Sequence, residues 1–382
     1  MTGESTPFFR IYVLRCTVFV PTRFDHNHFE TGFRYSSARV AAISTADKEV
    51  DAAWQLLRSR LARRNAHVPI SLLPPEILAR AFHLIALKEP PLSGNRNLGW
   101  NRVTHVCRHW RQVALEDPTL WAKIWGIPTN TKLISEMLAR AKDAPLDIEL
   151  NLEARSSFRA LLVIPPLLSR TRQLRFRDLY VHLWCIREMF TSGALEAPAL
   201  EQFELSTDPP FILPDLGGNM LSKGHAPRLR TFSLSQVFIP WSLIPRGLTQ
   251  LKMAYSHEIL GFPVDLNQLI DLLVNCPSLE ILALESCLPP QLDKSVHGQT
   301  IHLPHLSRLR LRGPTLRIVN MLRMFKLHSS AALHLNCNVP TTTIYHVQEG
   351  LLLAVISAHF QSSTPIEFKS LTVTFQNHMR IS

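Results

Sequence analysis

The sequence predicts an α/β solenoid, a small helical module followed by an array of repeats, each a strand plus a helical or irregular return. Three observations lead there. From about residue 130 onward one short apolar phrase recurs many times. Four of its copies carry a proline at the same offset. Between residues 47 and 125, by contrast, apolar residues recur at helical rather than strand spacing.

Taken in chain order, residues 1–46 show little periodicity and are expected to form an atypical, poorly ordered extension. From Asp47 the pattern changes: Val50, Trp54, Leu57 and Leu61 share one face, with Arg58, Arg60, Arg63 and Arg64 off it. This predicts an amphipathic lead-in helix over residues 47–68. A helical module is expected over residues 69–125. Pro74 and Pro75 sit at a helix start, where a fixed φ and a missing N–H cost little. Glu76 in the first turn complements the helix dipole. Ile77, Leu78, Ala81, Phe82 and Ile85 then define one apolar face. A Pro-, Ser-, Gly- and Asn-rich loop spans Pro90 to Asn97. A second helix is predicted from about Arg102 to Leu115, striped by Val103, Val106, Cys107, Trp110, Val113 and Ala114, and stopped by Asp117-Pro118. Leu120-Trp121 adds a further anchor.

Residues 130–382 are read as the repeat array. A helix from Leu133 to Ala141 leads into the strand-like Pro145-Leu146-Asp147-Ile148-Glu149-Leu150. The phrase then reads Leu200-x-x-Phe203-x-Leu205, Leu229-x-x-Phe232-x-Leu234 and Leu248-x-x-Leu251-x-Met253, followed by Leu279-x-x-Leu282-x-Leu284 and Leu306-x-x-Leu309-x-Leu311. Weaker copies occur at Leu174-x-Phe176, Leu333-x-Leu335 and Leu371-x-Val373. Copies lie about 19–31 residues apart, at and slightly beyond the leucine-rich-repeat period. Pro198, Pro227, Pro277 and Pro304 each fall two residues before the leading leucine. Returns are expected at Tyr180 to Phe190, Leu266 to Val274, Leu316 to Leu327 and Val347 to Phe360. No unit buries its apolar side alone, so stacking is what stabilises the array.

Composition narrows the function classes. Hydrophobic residues make up 46% of the 382 and charged residues 19%, which excludes a chain that stays unfolded for want of a core. No apolar run reaches the ~18–20 residues that span a bilayer, and Arg10 and Arg15 break the stretch that most resembles a signal peptide. Six scattered cysteines without a Cys-x-x-Cys pair fit a reducing compartment, the cytoplasm or nucleus. The net charge of +11 favours acidic partners.

The segment Pro69-Ile70-Ser71-Leu72-Leu73-Pro74-Pro75-Glu76-Ile77-Leu78, with Val103-Thr104-His105-Val106-Cys107-Arg108-His109-Trp110-Arg111 and Leu120-Trp121, resembles the F-box-like domains of fungal F-box proteins. In particular it is similar to the basidiomycete group whose F-box precedes irregular leucine-rich repeats. The resemblance covers about residues 47–150 by sequence and the remainder by architecture. It implies a substrate adaptor of a Skp–cullin–F-box ubiquitin ligase, docking on a Skp-family adaptor and through it on a cullin. Its repeats would then recruit a protein substrate. By position, Leu73, Pro74, Glu76, Ile77 and Leu78 match the adaptor-contacting first helix. Val103, Val106, Cys107, Trp110 and Leu120 match the core and second docking strip. Any small helical bundle would use the same apolar positions as core, so spacing alone leaves docking open.

Motifs for catalysis and cofactors are missing: no Gly-x-Gly-x-x-Gly, no phosphate loop, no Gly-x-Ser-x-Gly and no His-Glu-x-x-His. His105 and His109 share a helical face, but Cys107 would point away into the core, too few ligands for a metal. His26 with His28 and His302 with His305 bring no further ligands. The expectation is therefore a non-enzymatic chain without cofactor or metal.

Alternate residues of a strand face opposite sides. With the apolar pairs inward, Arg175, Glu204, Ser233, Lys252, Ala283, Arg310 and His334 line the concave sheet face, flanked by Arg177, Ser206, Ser235, Glu285 and Arg312. Of these, Arg175, Glu204, Lys252, Arg310, Arg312 and His334 are the candidate contacts for an acidic protein substrate, against the alternative of ordinary solvated strand residues. A second function class also fits: a repeat scaffold or nucleic-acid binder whose helical module only caps the array. Its basic groups lack interleaved aromatics, which disfavours nucleic acid.

Overall fold

The computed structural model describes residues 37–90, 98–125, 131–151, 164–177, 196–212, 226–256, 266–289, 300–327, 331–339, 345–360 and 371–377. The chain divides into two compact units, Met1–Asn65 and Ala66–Ser382. In the first, a single helix is described, α1 over Ser37–Ala66. It begins ten residues before the expected lead-in helix, so residues 37–46 belong to it rather than to an unpatterned extension. The correction has a simple cause, since Ala38, Ala41, Ala42 and Ala46 are strong helix formers that carry the helix back beyond Asp47. None of its residues is buried. Residues 1–36 lie outside the described set.

The second unit opens with a 3-10 turn over Pro69–Leu72, then α2 over Pro75–Lys88. A second 3-10 turn spans Gly99–His105 and α3 runs over Arg108–Glu116. The single helix expected from Arg102 to Leu115 is thus two pieces. Cys107 is extended (φ −157°, ψ 170°) and caps α3, its Sγ accepting from the Trp110 N–H at 3.5 Å. Asp117 caps the short α4 over Pro118–Trp121 and receives hydrogen bonds from the Thr119 and Leu120 N–H groups. Its carboxylate also lies 2.8 Å from His83 Nε2 on α2. Partial burial alone would raise the Asp117 carboxyl. The hydrogen bonds from Thr119, His83 and Leu120, with the His83 charge, outweigh that and hold it below its ordinary value.

The module does not end before the sheet; it supplies its first strand. Strand β1 over Lys123–Trp125 pairs in parallel with β2 over Leu146–Asn151, after α5 over Thr131–Ala141. Then come β3 over Thr171–Arg177, β4 over Gln202–Ile212, β5 over Thr231–Phe238 and β6 over Gln250–Ala254. Helix α6 over Leu266–Val274 precedes β7 over Ile281–Glu285. A two-residue strand β8, Ile301–His302, lies before β9 over Arg308–Pro314. Helix α7 over Thr315–Met324 runs into β10, Phe325–Lys326, which pairs with β8. Strand β11 over Ala332–Val339, α8 over Tyr345–Phe360 and β12 over Leu371–Asn377 complete the described chain.

Ten strands form one sheet in the order β1-β2-β3-β4-β5-β6-β7-β9-β11-β12, every pairing parallel. The sheet is α/β in class and does not close into a barrel, because β1 and β12 stand at opposite ends. The recurring phrases are in register: Leu174, Phe203, Phe232, Leu251, Leu282, Leu309 and Leu333 are consecutive ladder partners. All seven are buried, as are their i+2 partners Phe176, Leu205, Leu234, Met253, Leu284, Leu311 and Leu335. Phe203 and Phe232 stack at 5.8 Å. At about 25 cal/mol per Å² of apolar surface, each such side chain contributes roughly 1.5–3 kcal/mol of burial. A parallel sheet covered on both faces would read as continuous apolar runs; this alternation leaves the second face half open.

The proline offset has a structural cause. Leu200, Leu229, Leu279 and Leu306 donate their N–H to the carbonyls of Ala197, Ala226, Cys276 and Leu303 at 3.0–3.2 Å. Each proline therefore occupies the second position of a four-residue turn, where its fixed φ is pre-set. The next N–H, of Glu201, Arg230, Glu280 or Ser307, makes the first bond to the preceding strand or its lead-in. Turn and ladder together start β4, β5, β7 and β9 in the same register. Of the expected returns, Leu266 to Val274 is α6, Leu316 to Leu327 is α7 with β10, and Val347 to Phe360 falls within α8. Tyr180 to Phe190 lies outside the described residues.

Candidate docking surfaces

Helix α2 is apolar on two sides. Leu78, Phe82 and Ala86, spaced by one turn, are buried. They meet Trp110, whose ring lies 5.3 Å from that of Phe82, in a core that also holds Val103, Val113, Ala114 and Leu120. Trp100 and Trp121 close it edge to face at 4.8 Å, and Trp121 Nε1 donates to the Ala114 carbonyl at 2.6 Å. The opposite side carries Ile77, Leu84 and Leu87, 51–58% exposed, with Leu73 just before the helix at 38%. Positions 77, 84 and 87 fall on one helical strip. The second unit leaves this apolar strip uncovered among its described residues.

Leu73, Pro74, Glu76, Ile77 and Val106 are exposed and free to meet a partner. Trp110 and Cys107 are half-buried. Leu78, Val103 and Leu120 are only 0–2% exposed, so their part is to hold the module's own core and position the strip. For these three the expected contact role is corrected: spacing marks a residue as apolar-facing without saying which of two apolar sides it is on. The exposed Leu84 and Leu87 were missed by the sequence reading; their i+7 and i+10 spacing from Ile77 was the available signal.

A second surface is the half-open face of the sheet. The ladder aligns Glu149, Arg175, Glu204, Ser233, Lys252, Ala283, Arg310 and His334 in one row. The row expected from sequence is thus present, with Glu149 added at its start. Its basic character is partly cancelled. Arg175 lies 3.4 Å from both Glu149 and Glu204, Arg177 lies 2.9 Å from Glu149, and Arg310 lies 3.7 Å from Glu285. Such pairs on an open face contribute about 0–1 kcal/mol each, so their effect is on local charge more than stability. Lys252 is exposed and forms no ion pair among the described residues. Arg312, one row up, has its Nε buried without a hydrogen-bond partner among the described residues. Around Lys252 and Arg175 runs a groove of about 230 Å³, edged by Gln202, Thr231, Ser233 and Gln250.

Burial pushes the Cys287 thiol far up and the Cys337 thiol up to about 11. The four described cysteines, Cys107, Cys276, Cys287 and Cys337, are free thiols. Cys16 and Cys185 lie outside the described residues. His105 and His109 do not share a helix, because the break at Cys107 separates the 3-10 turn from α3. No group of three or more metal-ligating side chains occurs among the described residues. Nor, among them, is any helix long and apolar enough to cross a membrane.

A helical module with an uncovered apolar strip, feeding a parallel sheet with one open polar face, defines a protein-interaction fold. Residues 70–125 match the F-box-like family, so the module is an F-box-like domain. Domains of this kind generally bind Skp-family adaptors, and their presence points to an adaptor role in ubiquitin ligase complexes. No curated protein and no solved structure matches the chain.

Proposed function

We propose that the chain is a substrate-recognition subunit of a Skp–cullin–F-box ubiquitin ligase. In this reading the exposed strip of α2 docks on a Skp-family adaptor, which bridges to the cullin. The ten-stranded sheet is an irregular leucine-rich-repeat solenoid, supported by the register of its phrases and its turn-forming prolines. Its open face captures a protein substrate with acidic character, read from Lys252, Arg310 and Arg312 with the adjoining His334. The chain carries out no reaction of its own, needs no cofactor, and works in the cytoplasm or nucleus.

One observation carries the proposal: Ile77, Leu84 and Leu87 remain exposed although the same helix has a complete buried face. Covering a side chain of this size contributes about 1.5–3 kcal/mol, enough for several together to outweigh the cost of association. The test is capture of a purified Skp-family adaptor by the full chain. Pro74→Ala combined with Ile77→Asp should abolish capture while the unfolding transition of the sheet is unchanged. Retained capture by that variant, or none by the unmodified chain, sinks the adaptor reading and leaves a repeat scaffold.

A further inference from the structure

Helix α1 presents an apolar seam that its own unit leaves open. Its large apolar residues are Val40, Ile43, Val50, Trp54, Leu56, Leu57 and Leu61, all at least 39% exposed. All except Leu56 follow alternating steps of three and four, the spacing that keeps one seam facing a partner helix in a coiled coil. Written as heptads, the seam positions run Val40, Ile43, Asp47, Val50, Trp54, Leu57, Leu61 and Arg64. Two of them are charged, and they have opposite signs.

That pair of charges selects the partner. In a parallel dimer of α1, Asp47 would face Asp47 and Arg64 would face Arg64, two like-charge layers inside the seam. In an antiparallel dimer each layer pairs residues whose numbers have a constant sum. The register that joins Asp47 of one copy to Arg64 of the other also joins Val50 to Leu61 and Trp54 to Leu57, each twice by symmetry. Every apolar seam position from 50 to 61 then meets an apolar partner, and both seam charges are matched. Beside the seam, Asp51 and Arg58 fall on the same flank and come within about 3 Å of level, two residues at the helical rise, across the two-fold axis. A lone charged layer in an apolar seam fixes register and orientation, because shifting it leaves a desolvated charge without a partner.

We propose that α1 associates with α1 of a second copy as an antiparallel coiled coil in the register Asp47–Arg64, Val50–Leu61, Trp54–Leu57. The protein is then a dimer through its N-terminal helix, independently of what its F-box-like domain binds.

The experiment is sedimentation equilibrium of the full chain at micromolar concentration, with charge-swapped variants. Asp47→Arg places arginine against arginine and Arg64→Asp places aspartate against aspartate. Each should weaken the dimer by at least about tenfold, as like charges in a desolvated contact do. The double variant, Asp47→Arg with Arg64→Asp, restores the opposite pairing and should recover the dimer. Asp47 and Arg64 are both solvent-exposed in the single chain, so unfolding of the sheet should be unchanged. Oxidative cross-linking gives a second reading: Val50→Cys chains mixed with Leu61→Cys chains should link to one another. Neither variant alone should do so beyond the unmodified chain, since two copies of position 50 lie about 16 Å apart, eleven residues at the helical rise. A monomeric chain, a dimer indifferent to the single swaps, failure of the double swap to restore it, or self-linking of Val50→Cys alone overturns the proposal.

Discussion

At the scale of single residues, Gly99 shows how much of the docking module depends on one backbone position. Its φ of +52° belongs to the left-handed region, and a Cβ there would come 2.5 Å from the Pro90 carbonyl oxygen. Only glycine allows the chain to pass this close to the end of α2. The Trp100 N–H can then donate to the Glu89 carbonyl at 2.8 Å, and Arg102 reaches the Glu89 carboxylate at 2.6 Å. The outcome is insertion of the Trp100 ring, 1% exposed, against Trp121. Gly99→Ala is expected to destabilise the second unit by roughly 1–3 kcal/mol, from left-handed strain and backbone crowding together. Urea unfolding measures this, and an unmoved midpoint would show that the close approach is not needed. His83 and Asp117 act at the same scale, tying α2 to the cap of α4 across 34 residues of sequence.

At the scale of elements, α2 separates two roles that lie only a turn apart. Phe82 holds the core and Ile77 faces out. Phe82→Ala removes a buried ring and should cost about 3–5 kcal/mol. Ile77→Asp sits on a 51%-exposed side chain and should move stability by no more than about 0.5 kcal/mol. Thermal unfolding of the two variants, compared with adaptor capture, assigns each face its function; equal destabilisation by both would show that the strip is packed after all. The broken second helix belongs here too. Val103, Val106, Cys107 and Trp110 read as one stripe, yet they sit in turn on a 3-10 turn, a junction, a cap and the first turn of α3. Periodicity cannot detect a break that preserves the sequence of apolar residues.

At the scale of the whole molecule, the sheet converts sequence repeats into a continuous row of side chains. Ion pairs cancel much of the charge at the β2–β4 end, while Lys252 stands unpaired in the middle of the row and Arg310 is only loosely engaged at 3.7 Å. The positive charge least engaged by carboxylates in the row therefore sits at Lys252 on β6 and Arg310 on β9. Lys252→Glu with Arg310→Glu should weaken capture of an acidic protein substrate by about tenfold or more at low salt, and the difference should shrink as ionic strength screens it. Salt-independent capture, or capture unaffected by the double reversal, would move the recognition site off this face. Both residues are exposed, so the sheet should unfold as before.

Much of the architecture was legible without coordinates because local rules determine it. A proline two residues before a leucine makes a turn, a period of two sends alternate residues to opposite faces, and the phrase repeats often enough to demand stacking. The stacked strands and the row from Arg175 to His334 followed from those rules, whereas the F-box-like stretch was legible through its resemblance to a known family. Sequence could not say which apolar side of α2 is covered, that Leu78, Val103 and Leu120 are core rather than contact, or that β1 extends the helical module into the sheet. It also left open which arginines are neutralised. These depend on what lies across space from a residue: a ring 5.3 Å away in Phe82 and Trp110, or a carboxylate 3.4 Å away in Arg175 and Glu204. Burial and ion pairing are pairwise properties of distant segments, and only the folded chain brings those segments together.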